Sequence, residues 1–281
     1  MLFENILWPG VLAPGLFAAV ALAGVRLCDR RGRESTAGGG SLAIGAGFVA
    51  ASAVMTGWPR WPPGDSTQRL FYVTAAAALV GLAWGWFKGR GTPWLVRGVV
   101  LGSLLVLMLK TPLEHKWSPG EAAARLAALM VVGLAVGWAL EASLANAERR
   151  GRLVRAAVRL TLLTGMAVSL SFSGSARLGQ LMGAVACAVF VVEVGGRLLG
   201  RRVWLPGDAM VLSTVACGLL LGGFFYATLD AWNACLLALS LLLLGLGVRG
   251  GWAQWLPLLP CAIAVTRVAL AFVNAPDPYD Y

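Results

Sequence analysis

Ala122 to Leu140 reads AAARLAALMVVGLAVGWAL, nineteen residues with a single charge, Arg125. A helix rises about 1.5 Å per residue, so this run is about 28 Å long, close to the hydrocarbon thickness of a bilayer. Nine more runs of this character surround it. In chain order the ten are Val11–Leu27, Ser41–Gly57, Leu70–Phe87, Trp94–Leu109, Ala122–Leu140, Leu153–Ser171, Leu178–Val194, Ala209–Leu229, Ala231–Val248 and Trp252–Val273. The sixth is the most polar at its start, with Arg155 and Arg159. The eighth and ninth are separated only by Asp230 and its neighbours, so nine spans is the alternative count.

The bulk numbers agree. Of 281 residues, 58% are hydrophobic and 13% charged, against about 45–50% and about 25% in soluble domains. That excludes a disordered chain and a water-soluble globule. Ten spans use roughly 200 residues, which leaves only short loops. The fold expected is an all-α polytopic transmembrane bundle, one integral membrane domain over 1–281, in contact with the lipid bilayer.

Charge gives the sidedness. The odd-numbered loops hold 16 Lys and Arg, among them Arg30, Arg31, Arg33, Lys88, Arg90, Arg97, Arg149, Arg150, Arg155, Arg159, Arg197, Arg201, Arg202 and Arg249; the even-numbered loops hold 6. Positive loops stay in the cytoplasm, which puts both termini on the outer side. The net charge of +10 is therefore a topology signal and not a nucleic-acid surface. The first eight residues carry Glu4 and no Lys or Arg, unlike the positive start of a signal peptide, so the first span is expected to be retained. Arg outnumbers Lys 20 to 3, a mark of GC-rich coding, and a bacterial inner membrane is the expected location. Trp8, Trp58, Trp61, Trp117, Trp232 and Trp252 fall near span ends, where an aromatic belt belongs.

A repeat stands out. Trp61-Pro62-Pro63-Gly64-Asp65 leads to Arg69-Leu70, and Trp117-Ser118-Pro119-Gly120-Glu121 leads to Arg125-Leu126. Each copy then reaches a matched segment, Val80–Trp86 and Val132–Trp138. A duplicated helical hairpin follows, at about 41–87 and 94–140. Trp anchors at the interface, Pro suits the first helical turn, and the carboxylate complements the helix N-terminus. Asp65–Arg69 and Glu121–Arg125 have the i,i+4 spacing of acid-first ion pairs. Trp204-Leu205-Pro206-Gly207-Asp208 is a third, partial copy that opens the eighth span. Spans three and eight then run in opposite directions, the relation of a five-plus-five inverted repeat.

Ionisable groups inside a span are functional candidates. Arg267 lies in the tenth span, with Asp230 at the outer turn and the tail acids Asp277 and Asp280 as neighbours. Glu193 has Arg197 at i+4, the spacing of a local ion pair, and Glu141 lies near the arginines of the fifth loop. The sixth span and its exit carry Thr161, Thr164, Ser169, Ser171, Ser173 and Ser175, followed by Gln180, which read as a polar path or as interhelical hydrogen bonding. Gly81/Gly85, Gly133/Gly137, Gly179/Gly183 and Gly218/Gly222 have the spacing of close helix contacts. The single histidine, His115, beside Glu114, supplies neither a bis-histidine haem site nor a multi-histidine metal site. Cys28, Cys187, Cys217, Cys235 and Cys261 show no disulfide framework and no zinc spacing. No cofactor or metal is expected.

In span count and length alone the chain resembles the drug/metabolite transporter superfamily, whose termini are expected in the cytoplasm, opposite to the charge-derived sidedness here. No family is assigned on that basis. The leading expectation is a permease-like carrier for a small solute, with Arg267, Asp230, Thr161, Thr164, Ser169, Ser173 and Gln180 along the path. The alternative is a structural or accessory subunit that associates with other membrane subunits. A membrane-embedded transferase would have only Glu114 and His115 as an acid–base pair.

Overall fold

Apolar runs of this length form helices because a backbone deprived of water satisfies its N–H and C=O groups only within itself. The computed structural model describes residues 10–29, 39–86, 92–145, 152–198, 204, 206–246 and 251–274. Among them the helices are α1 (Ala13–Asp29), α2 (Gly39–Thr56), α3 (Ser66–Leu82), α4 (Thr92–Met108), α5 (Lys110–His115), α6 (Pro119–Ala145), α7 (Arg152–Phe172), α8 (Ala176–Leu198), α9 (Pro206–Tyr226), α10 (Ala231–Leu246) and α11 (Leu258–Val273). The described residues contain no strand. Six segments are long and apolar enough to cross a membrane: Gly39–Thr56, Pro119–Leu144, Leu153–Phe172, Ala176–Leu198, Gly207–Tyr226 and Trp252–Val273. Three shorter apolar helices accompany them, Gly10–Val25, Pro93–Met108 and Ala231–Leu246.

The chain turns at residues 227–230, so the eighth and ninth runs form two helices. Asp230 makes that turn. Its carboxylate accepts from the backbone N–H of Asn233 at 3.0 Å and from the Asn233 side chain at 3.1 Å, as an N-cap does. The α7–α8 turn is closed by Gly174 at φ +84°, a conformation that favours glycine. Thr228 ties the two turns together, its hydroxyl donating to the Ser173 carbonyl at 2.6 Å.

The centre is built from α2, α3, α8 and α9. The α2 helix packs on α8 and α9, and α3 packs on α9. Helices α1 and α7 flank this centre, α1 on α2 and α8 and α7 on α8; α4 and α6 line α9, α10 lies on α6, and α11 lies on α7. Ile44, Phe48, Leu70, Val185, Val189 and Val215 are buried there. Contact is close enough that a Cβ on Gly45 would sit 2.3 Å from the Ala78 methyl group. The glycine pairs contribute unequally. A Cβ on Gly179 or Gly218 would collide with Ser171 or Leu70, whereas one on Gly183 would come no closer than 4.0 Å to the described residues.

The outer helices carry large apolar side chains on the outside: Leu16 and Val20 on α1, Leu95 and Val99 on α4, Val131 on α6, and Leu270 on α11. So broad an apolar surface, with helices that can cross a bilayer, is that of a membrane protein. Trp58, Trp61, Trp232 and Trp252 are exposed at helix ends, and Trp117 is half-buried. Trp8, Cys28, Asp277, Asp280 and most odd-loop cations, including Arg30, Arg31, Arg33, Lys88, Arg90, Arg149, Arg150, Arg201, Arg202 and Arg249, lie outside the described side chains.

The two motif copies start their helices differently. Asp65 is the N-cap of α3 and accepts from the Gln68 N–H at 2.7 Å. In the second copy α6 begins earlier in the motif, at Pro119. Ser118 and Glu121 form a capping box: the Ser118 N–H donates to Glu121 Oε2 at 3.1 Å and the Glu121 N–H donates to Ser118 Oγ at 3.4 Å. The matched segment ends α3 in a 3-10 turn, Ala83–Trp86, in the first copy and lies inside α6 in the second.

Candidate functional site

The polar architecture differs between the two ends of the bundle. At the end where α2, α4, α7 and α9 begin, charge is buried. On α7, Arg155, Arg159, Leu162, Met166 and Leu170 fall at helical spacing and all are buried. Arg159 is 1% exposed. Its Nη2 donates to the Glu193 carboxylate on α8, and its Nη1 donates to the Ser143 hydroxyl on α6 at 3.3 Å. Its guanidinium lies 5.7 Å from the Trp204 ring centre. On α4, Arg97 leads the buried stripe Leu101, Leu104 and Met108. Its Nη1 is 2.7 Å from Glu141 Oε2 on α6, and Trp84 and Trp94 flank it at 5.4 and 5.3 Å.

Asp208 is the third member. It sits in the first turn of α9, is fully buried, and accepts from both the backbone N–H and the hydroxyl of Ser41 in the first turn of α2. One carboxylate thus faces the N-termini of two helices, where unpaired N–H groups and the helix dipole favour negative charge. Three glycines allow the approach. A Cβ on Gly40 would sit 2.5 Å from Asp208 Oδ2, one on Gly207 would sit 2.5 Å from the Gly81 carbonyl, and one on Gly81 would sit 2.7 Å from Ser41 Oγ.

Burying a charge pair costs several kcal/mol per ion before the pair attraction returns it. Arg159 Nε and Trp204 Nε1 are also buried without an acceptor among the described residues. A layer assembled for stability alone would favour apolar side chains of the same volume.

These placements correct three expectations. Glu193 pairs with Arg159 across helices, while Arg197 is exposed. Arg97, Arg155 and Arg159 are buried helix residues and not loop charges, although the odd loops keep thirteen cations against six without them. Arg69 donates to the Leu107 carbonyl on α4 at 2.9 Å, which takes the role expected of Asp65. The signal was present in the sequence: each buried arginine is in helical register with core leucines or methionine.

At the opposite end lies a polar cavity of about 420 Å³. Asp65, Ser66 and Thr67 at the start of α3 form one wall; Ser175 and Arg177 at the start of α8, with Tyr226 at the end of α9, form the other. Several charged groups at this end are exposed. Asp230 and Arg267 approach to 3.7 Å, each about half-exposed. Arg125 stacks on Trp117 at 4.8 Å, and Glu121 faces Ser118. Glu114 pairs with Lys110 at 3.7 Å, beside an exposed His115.

The hydroxyl-rich stretch divides. Thr161 and Thr164 lie on the exposed face of α7, Ser169 and Ser173 are buried, and Gln180 is half-buried. Ser173 adjoins the cavity through Gly174 and Ser175. Arg267 and Asp230 come together next to that stretch, since Thr228, two residues before Asp230, bonds the Ser173 carbonyl. Among the described residues no group of three His, Cys, Asp or Glu could hold a metal ion. No protein-family profile, curated protein or solved structure matches this chain.

Proposed function

We propose that this is a ten-span protein of the bacterial inner membrane that acts as a permease-like carrier for a small solute. Odd-numbered loops face the cytoplasm and both termini face outward, following the charge imbalance. One observation carries the reading. The polar cavity opens at the outer end between α3 of the first half and α8 and α9 of the second, while the inner end is closed across the same two halves by Asp208 on Ser41 and by Gly207 on Gly81. Open at one end and closed at the other is one state of an alternating-access carrier. The contacts of α2 with α8 and of α3 with α9 join helices five spans apart, as across the axis of an inverted repeat.

In a background without native cysteines, Thr67→Cys should react with a membrane-impermeant maleimide from outside. Loosening the inner closure with Ser41→Ala or Asp208→Asn should slow that labelling. Labelling at Thr67→Cys that ignores both changes would sink the carrier reading. A stoichiometric partner in the mild-detergent extract, with instability in its absence, would favour the accessory subunit instead. Sidedness has its own check: a periplasm-active reporter fused after Tyr281 should be active.

A further inference from the structure

A second cavity, of about 370 Å³, lies between α4, α6, α9 and α10. Leu104, Leu129, Val136, Leu220, Ala238 and Leu242 are among its walls, and every lining residue is apolar or a cysteine. A cavity of this kind excludes water. It is a groove open on one side, set among the peripheral helices whose exposed faces are apolar, so its opening meets lipid and not solvent.

The α6 wall has a direction. Leu129, Val132, Gly133 and Val136 form one stripe at spacings of three and four. Arg125 is one turn above Leu129 on the same face, exposed, with its guanidinium over Trp117. Trp117 in turn packs on Leu105 and Leu221, which floor the groove at that end. Lys116, also exposed, has no carboxylate at ion-pair distance among the described residues. From Arg125 to Val136 is eleven residues, about 16 Å of helix. A bilayer core of about 30 Å makes one leaflet about 15 Å deep. A cation at the interface therefore heads an apolar slot one leaflet deep.

We propose that this groove holds an acyl chain of an anionic phospholipid from the outer leaflet, with its phosphate on Arg125. Charge complementarity selects the headgroup, and the wholly apolar wall selects a chain over any solute with polar groups at depth.

The test uses the full-length protein in mild detergent, with dioleoylphosphatidylglycerol and dioleoylphosphatidylcholine in competition, and native mass spectrometry to count what stays bound. One phosphatidylglycerol should be retained in preference to phosphatidylcholine. Arg125→Gln should reduce that preference about fivefold, the equivalent of about 1 kcal/mol for one cation near an anionic surface. Ala238→Phe fills the groove from α10 and Gly133→Leu fills it from α6; either, when the thermal melt is retained, should abolish binding of both lipids. The proposal is overturned if no lipid is retained, if equal retention of the two lipids is indifferent to Arg125, or if filling the groove changes nothing. Cys235 lines the groove and is exposed. A Cys235–Cys235 dimer formed on mild oxidation, with lipid displaced, would also overturn it and assign the groove to a second copy of this chain.

Discussion

Asp65, Glu121 and Asp208 close the same five-residue motif, yet the two ends of the bundle use it differently. At the end that holds the polar cavity Asp65 and Glu121 are exposed and cap their own helices through short local hydrogen bonds. At the opposite end Asp208 is fully buried and caps a different helix, 167 residues away in sequence. The difference is one of surroundings and not of residue type. Asp65 and Glu121 have solvent as an alternative partner, so their bonds contribute little. Asp208 has lost that alternative, so its charge depends on Ser41 and the two helix N-termini.

The contrast sets an order of effects, measured by thermal unfolding in detergent with tryptophan fluorescence. The largest belongs to the buried pair. Glu193→Leu leaves Arg159 uncompensated and should cost about 3–5 kcal/mol, most of which Arg159→Met should restore in the double variant. If the single change were silent, the buried-charge layer would be solvated and the contrast would fail. Asp208→Asn should come next, at about 2–3 kcal/mol for loss of a charged acceptor, against about 1 kcal/mol for the exposed cap change Asp65→Ala. Equal losses would mean that burial of Asp208 has no consequence.

Packing sharpens the same point. Gly207→Ala drives a methyl group into the Gly81 backbone and should cost about 1–3 kcal/mol. Gly183→Ala, whose methyl group would come no closer than 4.0 Å to the described residues, should stay within about 0.5 kcal/mol. The smallest effect is expected from Asp230→Asn. The Asp230–Arg267 pair is half-exposed, and exposed pairs are worth about 0–1 kcal/mol. A loss there as large as that at Glu193 would show that Arg267 is desolvated in the bilayer.

The sequence made some of these residues legible and hid others for a physical reason. Apolar runs and turn residues are local, so the helices, the break at Asp230 and the start of α3 follow from neighbours within a few positions. Arg97, Arg155 and Arg159 read as loop charges because a positive count near a span end is insensitive to which helix face each residue occupies. Glu193 has Arg197 in local reach, and only the packing of α7 on α8 brings Arg159 nearer. The polar cavity was invisible, because its walls come from α3, α8 and α9, and α3 lies more than a hundred residues before the other two.

By itself the sequence determined that the chain is helical, apolar on the scale of a bilayer, and charged asymmetrically from loop to loop. These properties depend on composition and short-range periodicity, which the hydrophobic effect and backbone hydrogen bonding read directly. Only the tertiary structure decided which charges are buried, which of three equivalent carboxylates bridges two halves, and where the cavities lie. Those depend on contacts between helices far apart in the chain, where a single glycine such as Gly40 or Gly207 decides whether two helix ends meet.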